Sequence, residues 1–194
     1  MNPRIGLFIG GRGARMGGVA KGLLRTPSGA SIVEHLLAQC RAALPSATPV
    51  LVGEAAAYAE LGLPALADAP ASIGPLGGLR ALLLDATRVG APSVLALACD
   101  MPFVSARLLE RLASESPAAL ALAPRTGDIW QPLCARYSLD ALSAVDAALA
   151  AGERSLQRVF ARLGVQAVAL ELDPAGQREL RDWDEPSDLV RDGG

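Results

Sequence analysis

Histidine is almost absent from this sequence, since His35 is the only one among 194 residues. Hydrolysis by a serine or cysteine nucleophile paired with histidine would require that one residue, which lies inside a predicted helix, so this chemistry is disfavoured. Cysteines are few as well. Cys40, Cys99 and Cys134 are scattered, odd in number and unaccompanied by a histidine cluster. This pattern favours three small buried residues in a reducing cytoplasm over a disulfide or a zinc site.

The sequence also lacks a strong net charge and a long apolar run. Its formal net charge is −2, so no global basic field predicts nucleic acid as a partner, and any attraction for phosphate must be local. Apolar runs such as residues 94–98 are far shorter than the ~20 residues that a membrane span needs. The N-terminus reaches Gly6 without a signal-peptide pattern. We therefore expect a cytoplasmic protein that binds neither membrane nor nucleic acid.

Aromatic residues make up only 4% of the chain, whereas hydrophobic residues make up 51%. A core of Ala, Leu and Val suits a parallel sheet that helices cover on both faces. Strands are predicted at residues 5–9, 50–52, 65–67, 94–98, 118–123, 133–137 and 168–172. Helices are predicted at about residues 31–44, 55–61, 79–87, 105–113, 140–150 and 155–163, with a last short helix near Pro186. This alternation predicts one α/β domain, residues 1–194, with a single doubly wound, mostly parallel sheet.

A glycine-rich, basic loop follows the first predicted strand. Residues 10–21 contain five glycines and the three cations Arg12, Arg15 and Lys21. Glycine allows backbone amides to approach an anion closely, and arginine can grip phosphate with two parallel hydrogen bonds. The loop lies where α/β folds bind ligands, beyond the carboxyl ends of the strands. We therefore predict that it binds phosphate groups.

Two common phosphate-binding motifs do not fit this loop. A Walker A loop needs Ser or Thr directly after its lysine, and Lys21 is followed by Gly22. A dinucleotide fingerprint needs a third glycine where Met16 stands, and the acidic residue that should follow would come too late in the chain. A dehydrogenase is therefore disfavoured.

Acidic residues follow several predicted strands. Asp100 comes after the most hydrophobic strand and offers a hard oxygen ligand for Mg²⁺; it is a poorer helix cap than Ser105. Asp68 has a similar position after a predicted strand, and it is either a second carboxylate that projects beyond the strand ends or a turn aspartate. Asp182 and Asp184 form a second acidic group near the metal or cap the last helix, and the residues alone favour the cap.

Short motifs occur here in the order seen in molybdenum cofactor guanylyltransferases, and the chain resembles that family over nearly its whole length. They are Phe-Ile-Gly-Gly at 8–11, Arg-Met-Gly-Gly at 15–18, Lys-Gly-Leu-Leu at 21–24, Gly-Pro-Leu-Gly-Gly at 74–78, Cys-Asp-Met-Pro at 99–102, Gln-Pro-Leu-Cys at 131–134, Gly-Glu-Arg-Ser at 152–155 and Asp-Glu-Pro at 184–186. The resemblance implies a Rossmann-like nucleotidyltransferase fold. It also implies transfer of GMP from Mg·GTP to the terminal phosphate of molybdenum-loaded molybdopterin, with release of pyrophosphate.

The same resemblance implies the roles of individual residues. Arg15, Lys21 and Asp100 are the implied catalytic residues, with Asp100 as the ligand of the Mg²⁺ cofactor. The implied nucleotide contacts are Phe8, Ile9, Gly10, Gly11, Gly13, Lys21, Gly53, Asp68 and Asp100. GTP and the molybdopterin cofactor are the implied partners, together with transient contacts to cofactor-delivery proteins or target molybdoenzymes. Arg154 and residues 126–131 are assigned to the acceptor side, although Arg154 could equally be a solvent-exposed arginine at a helix start.

Some positions depart from the family pattern and keep other functions open. Phe8 and Ile9 replace Leu-Ala, Gly53 stands where an asparagine commonly contacts the nucleotide, and Asp182 and Asp184 replace two asparagines. The alternatives are a molybdopterin cytidylyltransferase, a sugar-phosphate nucleotidyltransferase and a catalytically silent nucleotide-binding module. Arg15, Lys21 and Asp100 together argue against the silent module, because binding alone does not need a metal carboxylate.

Overall fold

A seven-stranded sheet runs through the centre of the protein, in a computed structural model that describes residues 2–10, 12–13, 19–26, 28–183 and 188. The strands are β1 (Arg4–Phe8), β2 (Arg12–Gly13), β3 (Val19–Ala20), β4 (Pro49–Val52), β5 (Ala65–Leu66), β6 (Ser93–Ala98), β7 (Ala121–Ala123), β8 (Arg125–Thr126), β9 (Ile129–Trp130), β10 (Cys134–Ser138) and β11 (Ala167–Ala169). The sheet order is β11-β7-β10-β6-β1-β4-β5, and β10 alone among these strands runs antiparallel to its neighbours. The pairs β2–β3 and β8–β9 form two small antiparallel ladders outside the sheet.

Helices cover both faces of this sheet. They are α1 (Ile32–Ala43), α2 (Pro75–Val89), α3 (Ala106–Ser114), α4 (Leu142–Ala150), α5 (Leu156–Leu163) and α6 (Pro174–Glu179). One core cluster contains Leu36 of α1 and Leu109 of α3, and a second contains Leu82 of α2 and Val159 of α5. The predicted doubly wound, mostly parallel sheet flanked by helices is confirmed. Within the ranges given above, no helix is long and apolar enough to cross a membrane.

Capping residues explain where two helices begin. The Ser31 hydroxyl accepts a hydrogen bond from the Glu34 amide, and the Glu34 carboxylate accepts one from the Ser31 amide at 2.7 Å. This reciprocal capping box starts α1 as predicted. Ser105 caps α3 through its hydroxyl alone, which accepts from the Leu108 amide at 3.2 Å. Ser105, rather than Asp100, therefore caps the helix that follows β6, as we expected.

Other boundaries differ from the prediction. Helix α2 begins at Pro75 rather than near residue 79, because proline fits the first helical position and Gly74 supplies the turn at φ 80°. Helix α6, capped by Asp173, was not predicted. The helix expected near Pro186 lies outside the residues that the structure describes.

Candidate active site

Backbone hydrogen bonds bring the carboxyl ends of β1, β4 and β6 to one edge of the sheet. The Cys99 amide donates to the Phe8 carbonyl at 3.1 Å, and the Ile9 amide donates to the Val52 carbonyl at 3.1 Å. The Gly53 amide donates to the Leu66 carbonyl at 2.9 Å, which adds the end of β5. The segments that carry Gly10, Gly53, Asp68 and Asp100 therefore share this edge, as expected for ligand binding in an open α/β sheet.

Lys21 and Asp100 meet at this edge, although 79 positions separate them in the chain. The Lys21 Nζ atom lies 3.4 Å from Asp100 Oδ2, and their side chains are 16% and 24% exposed. Lys21 opens a 3-10 turn, Lys21–Leu23, which is closed by a hydrogen bond from the Leu24 amide to the Lys21 carbonyl. A cation and a carboxylate are thus held together in partial shelter from water, where charges act more strongly than at an open surface.

The remainder of the glycine-rich loop is described only in part. Gly13 pairs with Val19, and Arg12 with Ala20, in the β2–β3 ladder that returns the chain toward Lys21. Gly11 and Arg15 lie outside the described residues, so their assigned roles stay predictions.

Gly53 has a conformation that excludes most side chains. Its φ is +116°, and a Cβ atom at this position would lie 3.3 Å from the Gly10 amide nitrogen. An asparagine here would be strained and would crowd Gly10. The backbone conformation therefore explains why glycine replaces the asparagine of the family pattern at position 53. Gly53 can contact a ligand only through its main-chain groups.

Asp68 lies against the first turn of α2. A Cβ atom on Gly78 would come within 3.4 Å of Asp68 Oδ1 and 3.0 Å of the Phe8 ring. The Ala69 amide donates to the Gly77 carbonyl at 3.1 Å. Because Gly77 and Gly78 have no side chains, α2 can approach both the Asp68 carboxylate and β1 closely.

The side chains of Phe8 and Ile9 belong to the core, since each residue is 5% exposed. We therefore do not expect these two side chains to contact a ligand. Their replacement of Leu-Ala therefore alters core packing and leaves the backbone groups at the strand end in place.

A cavity of about 390 Å³ opens beside Asp100. Its polar and charged lining includes Asp100, Gln131, Arg154, Ser155, Gln157 and Asp182. Pro75, at the start of α2, lies on its wall as well. The structure thus brings together Asp100 and two residues assigned to the acceptor side, Gln131 and Arg154.

Trp183 fixes the chain on one side of this cavity. The Trp183 amide donates to the Asp100 carbonyl at 2.8 Å, and the indole, 1% exposed, packs edge-on against Phe103. Asp182 is thereby held beside the Asp100 segment. Its position in the cavity favours the second acidic group over the helix cap, while Asp184 lies outside the described residues.

The β8–β9 hairpin and α5 lie beside this cavity. The sequence indicated the hairpin only as a polar segment. Gln157 accepts from the Trp130 amide at 3.3 Å and donates to the Trp130 carbonyl at 2.8 Å. The Trp130 ring stacks on Phe160 with centroids 4.6 Å apart. Gln157 was not predicted as a site residue, because its pairing with Trp130 exists only after the hairpin has packed on α5.

The cysteine that precedes Asp100 is not a nucleophile. Burial, followed by the Asp100 carboxylate, raises the pKa of Cys99 to about 11. The thiol is therefore protonated and unreactive at neutral pH. Covalent catalysis through Cys99 is disfavoured, in agreement with the sequence analysis.

Comparison with known proteins identifies relatives over almost the entire chain. The sequence profile of the MobA-like NTP transferase domain matches residues 7–168. A molybdenum cofactor guanylyltransferase of Pseudomonas syringae pv. syringae is 36% identical, over 93% of this chain and 88% of that protein. One from Pseudomonas fluorescens is 34% identical, over 97% of this chain and 92% of that protein.

Crystal structures of other proteins share the fold. Molybdopterin-guanine dinucleotide biosynthesis protein A from Archaeoglobus fulgidus superposes with a TM-score of 0.77 at 23% identity, covering 98% of this chain and 96% of that chain. The 2-C-methyl-D-erythritol 4-phosphate cytidylyltransferase from Thermus thermophilus superposes with a TM-score of 0.69 at 19% identity, covering 100% and 98%.

Proposed function

This chain belongs to the MobA-like NTP transferase family, and we propose that it transfers GMP from Mg·GTP to the terminal phosphate of molybdenum-loaded molybdopterin. One observation carries the proposal: the Lys21–Asp100 pair stands beside a cavity that Arg154 lines. Relatives at 34–36% identity are named molybdenum cofactor guanylyltransferases, which supports the choice of nucleotide and acceptor.

The glycine-rich loop and Lys21 bind the triphosphate in this proposal. Lys21, with Arg15, neutralises phosphate charge, and the amides of Gly10, Gly11 and Gly13 approach the phosphates closely. Nucleotidyl transfer depends on positioning and charge neutralisation more than on a protein acid or base. The site is consistent with this, because the fold brings its cation and carboxylate together, with Lys21 Nζ 3.4 Å from Asp100 Oδ2.

We assign the base and ribose to the strand ends around Gly53 and Asp68. The ring N–H and amino groups of guanine need acceptors. The Phe8 carbonyl already accepts from the Cys99 amide. We therefore assign base recognition to the carbonyls of Ile9 and Gly10 and to the Asp68 carboxylate.

The residues at the cavity fit a magnesium ion. Asp100 and Asp182 both offer carboxylate oxygens at its lining, the ligand type that Mg²⁺ prefers. Over the described ranges, no cluster of three or more His, Cys, Asp or Glu side chains forms a metal site made by the protein alone. Two carboxylates suit Mg²⁺, which is commonly held by one or two carboxylates together with substrate phosphates. We assign Asp100 as its ligand; when bound, the ion supplies further neutralisation of phosphate charge.

The acceptor phosphate occupies the cavity beside Arg154 and Ser155. A new bond forms between an acceptor phosphate oxygen and the α-phosphorus of GTP. The bond from the α-phosphorus to the bridging oxygen breaks, and pyrophosphate leaves with that electron pair. No protein base is needed, because a phosphate monoester with its second pKa near 6 is already largely ionised at neutral pH. His35 can thus serve a structural role, its Nε2 atom 3.0 Å from the Val104 carbonyl oxygen.

We further propose that the chain is one domain that works in the cytoplasm. Cys40, Cys99 and Cys134 are all buried free thiols, which suits a reducing compartment. Burial raises the pKa of Cys40 and of Cys134 to about 12. In this setting, delivery proteins or target molybdoenzymes contact the protein transiently while the cofactor is passed.

Replacing Lys21 with alanine should weaken Mg·GTP binding by about tenfold to a hundredfold. The reason is that a sheltered hydrogen bond to a charged group contributes about 1.5–3 kcal/mol. Isothermal titration calorimetry would measure the change in Kd. Arg25→Ala is the matched control, because this nearby cation has a 72% exposed side chain and pairs with Glu34 rather than the site. Equal affinities for wild type and Lys21→Ala would remove Lys21 from the site.

Turnover with GTP should exceed turnover with CTP by at least about tenfold in kcat/KM when both are tested with purified molybdenum cofactor. An unmatched hydrogen-bonding edge on a buried base costs about 1–3 kcal/mol. Pyrophosphate release with each of the four nucleotides is the measurement. Equal values, or a preference for CTP, would contradict the guanylyl assignment and favour the cytidylyltransferase alternative. Nucleotide binding without turnover would favour the silent module.

A further inference from the structure

We propose that Tyr58 is a positioning residue that sets where the Lys21 ammonium stands relative to the Asp100 carboxylate. The inference rests on the proposed function, in which Lys21 binds the triphosphate. It is carried by a buried contact between the Tyr58 hydroxyl, Gly22 and Cys99. Neither the sequence motifs nor the family resemblance drew attention to this tyrosine.

Tyr58 reaches the contact from a different segment of the chain. It lies in the 3-10 helix Ala56–Leu61, which follows β4, and it is 2% exposed. Its hydroxyl oxygen accepts a hydrogen bond from the Gly22 amide at 3.2 Å. The same hydroxyl interacts with the Cys99 thiol, so it connects the loop after β1 with the end of β6.

The contact leaves no free space at Gly22. A Cβ atom there would lie 2.9 Å from the Tyr58 hydroxyl oxygen and 3.2 Å from the Cys99 Cβ atom. Gly22 is itself buried. The turn that begins at Lys21 is therefore pressed against both side chains, and its position depends on them.

Each partner in this contact adjoins one member of the charged pair. Gly22 follows Lys21 directly, and Cys99 precedes Asp100 directly. A tyrosine that joins Gly22 to Cys99 thus fixes the backbone on both sides of the 3.4 Å contact between Lys21 Nζ and Asp100 Oδ2. The hydroxyl acts on the lysine through the Gly22 amide, to which it offers an oxygen acceptor in a buried contact.

Tyr58→Phe tests the inference, because it removes the hydroxyl and keeps the ring that fills the core. We expect Mg·GTP to bind about fivefold more weakly by calorimetry, as for loss of one buried hydrogen bond that positions a ligand group. Tyr137→Phe is the matched control: Tyr137 is also buried, and its hydroxyl donates to the Pro132 carbonyl at 2.7 Å, on the acceptor side. This control should leave the Kd of Mg·GTP unchanged.

A double-mutant cycle separates positioning from general packing. If Tyr58 acts through Lys21, Tyr58→Phe should weaken Mg·GTP binding in the wild-type background and have no further effect in Lys21→Ala. Additive losses would overturn the inference, because they would show that the hydroxyl acts independently of the lysine. Gly22→Ala approaches the same contact from the other side and should give the same dependence on Lys21, even if Tyr58→Phe folds poorly.

The two proposals fail in different ways. Wild-type protein that binds no nucleoside triphosphate would overturn the proposed function and this inference with it. Wild-type protein that binds Mg·GTP, with Tyr58→Phe and Gly22→Ala binding equally well, would overturn this inference alone.

Discussion

Asp100→Asn should lower kcat for the Mg²⁺-dependent reaction by about a hundredfold to a thousandfold while the protein stays folded. A carboxamide cannot offer the same charge to the metal or to Lys21, and a metal's stabilisation of transition-state charge is worth several kcal/mol. Each 1.36 kcal/mol corresponds to about tenfold in rate. Pyrophosphate release at saturating GTP and varied Mg²⁺ is the measurement.

The fold should tolerate this substitution because the main chain of Asp100 makes a hydrogen bond that does not depend on the carboxylate. The Asp100 carbonyl accepts from the Trp183 amide at 2.8 Å, and asparagine keeps that carbonyl. Asp146→Asn is the control, since Asp146 forms a partly exposed pair with Arg80. Activity near wild type in a folded Asp100→Asn protein would place the metal ligand elsewhere.

Asp85→Asn should lower the free energy of unfolding at about pH 7 by about 3 kcal/mol, with nucleotide binding unchanged. Asp85 is the centre of an ion network: its carboxylate lies 2.8 Å from Arg4 Nε and 2.6 Å from Arg88 Nη2. The Asp85 side chain is only 4% exposed, and that of Arg4 10%. Removing one partner of a buried pair leaves the other charge uncompensated, which costs about 3–5 kcal/mol. Urea unfolding would measure the loss, with Asp146→Asn as the exposed-pair control, expected to lose about 1 kcal/mol or less.

The loss at Asp85 should also depend on pH. Burial alone would raise the pKa of Asp85, but hydrogen bonds from Arg88 and Arg4 outweigh it and lower this pKa below its ordinary value. A carboxyl group with a lowered folded-state pKa contributes stability that is present above its unfolded pKa of about 4 and is lost as pH falls through the folded value. The difference between wild type and Asp85→Asn should therefore shrink in urea titrations below about pH 4. A difference that stayed constant with pH would contradict the ionised pair.

Several elements could be predicted because their signals are local. The Ser31–Glu34 capping box started α1 at the expected residue, and the apolar run 94–98 forms all of β6 except its first residue, Ser93. Elements with short signals were missed. The β8–β9 hairpin has only two residues in each strand, too few for periodicity to indicate, and α6 has only six residues.

The sequence by itself determined which functional groups are available for catalysis and binding. They are a glycine-rich loop with Lys21, a carboxylate at the end of a buried strand, and a single histidine unsuited to nucleophilic catalysis. Strand ends converge in any doubly wound sheet, so the edge that carries the site followed from the alternation of elements. The tertiary structure decided which side chains meet. Tyr58 and Gly22, or Arg4 and Asp85, are paired by packing between segments that are 36 and 81 positions apart. Hydrogen bonds at such separations leave no local pattern in the chain, because their geometry arises only when the helices pack on the sheet.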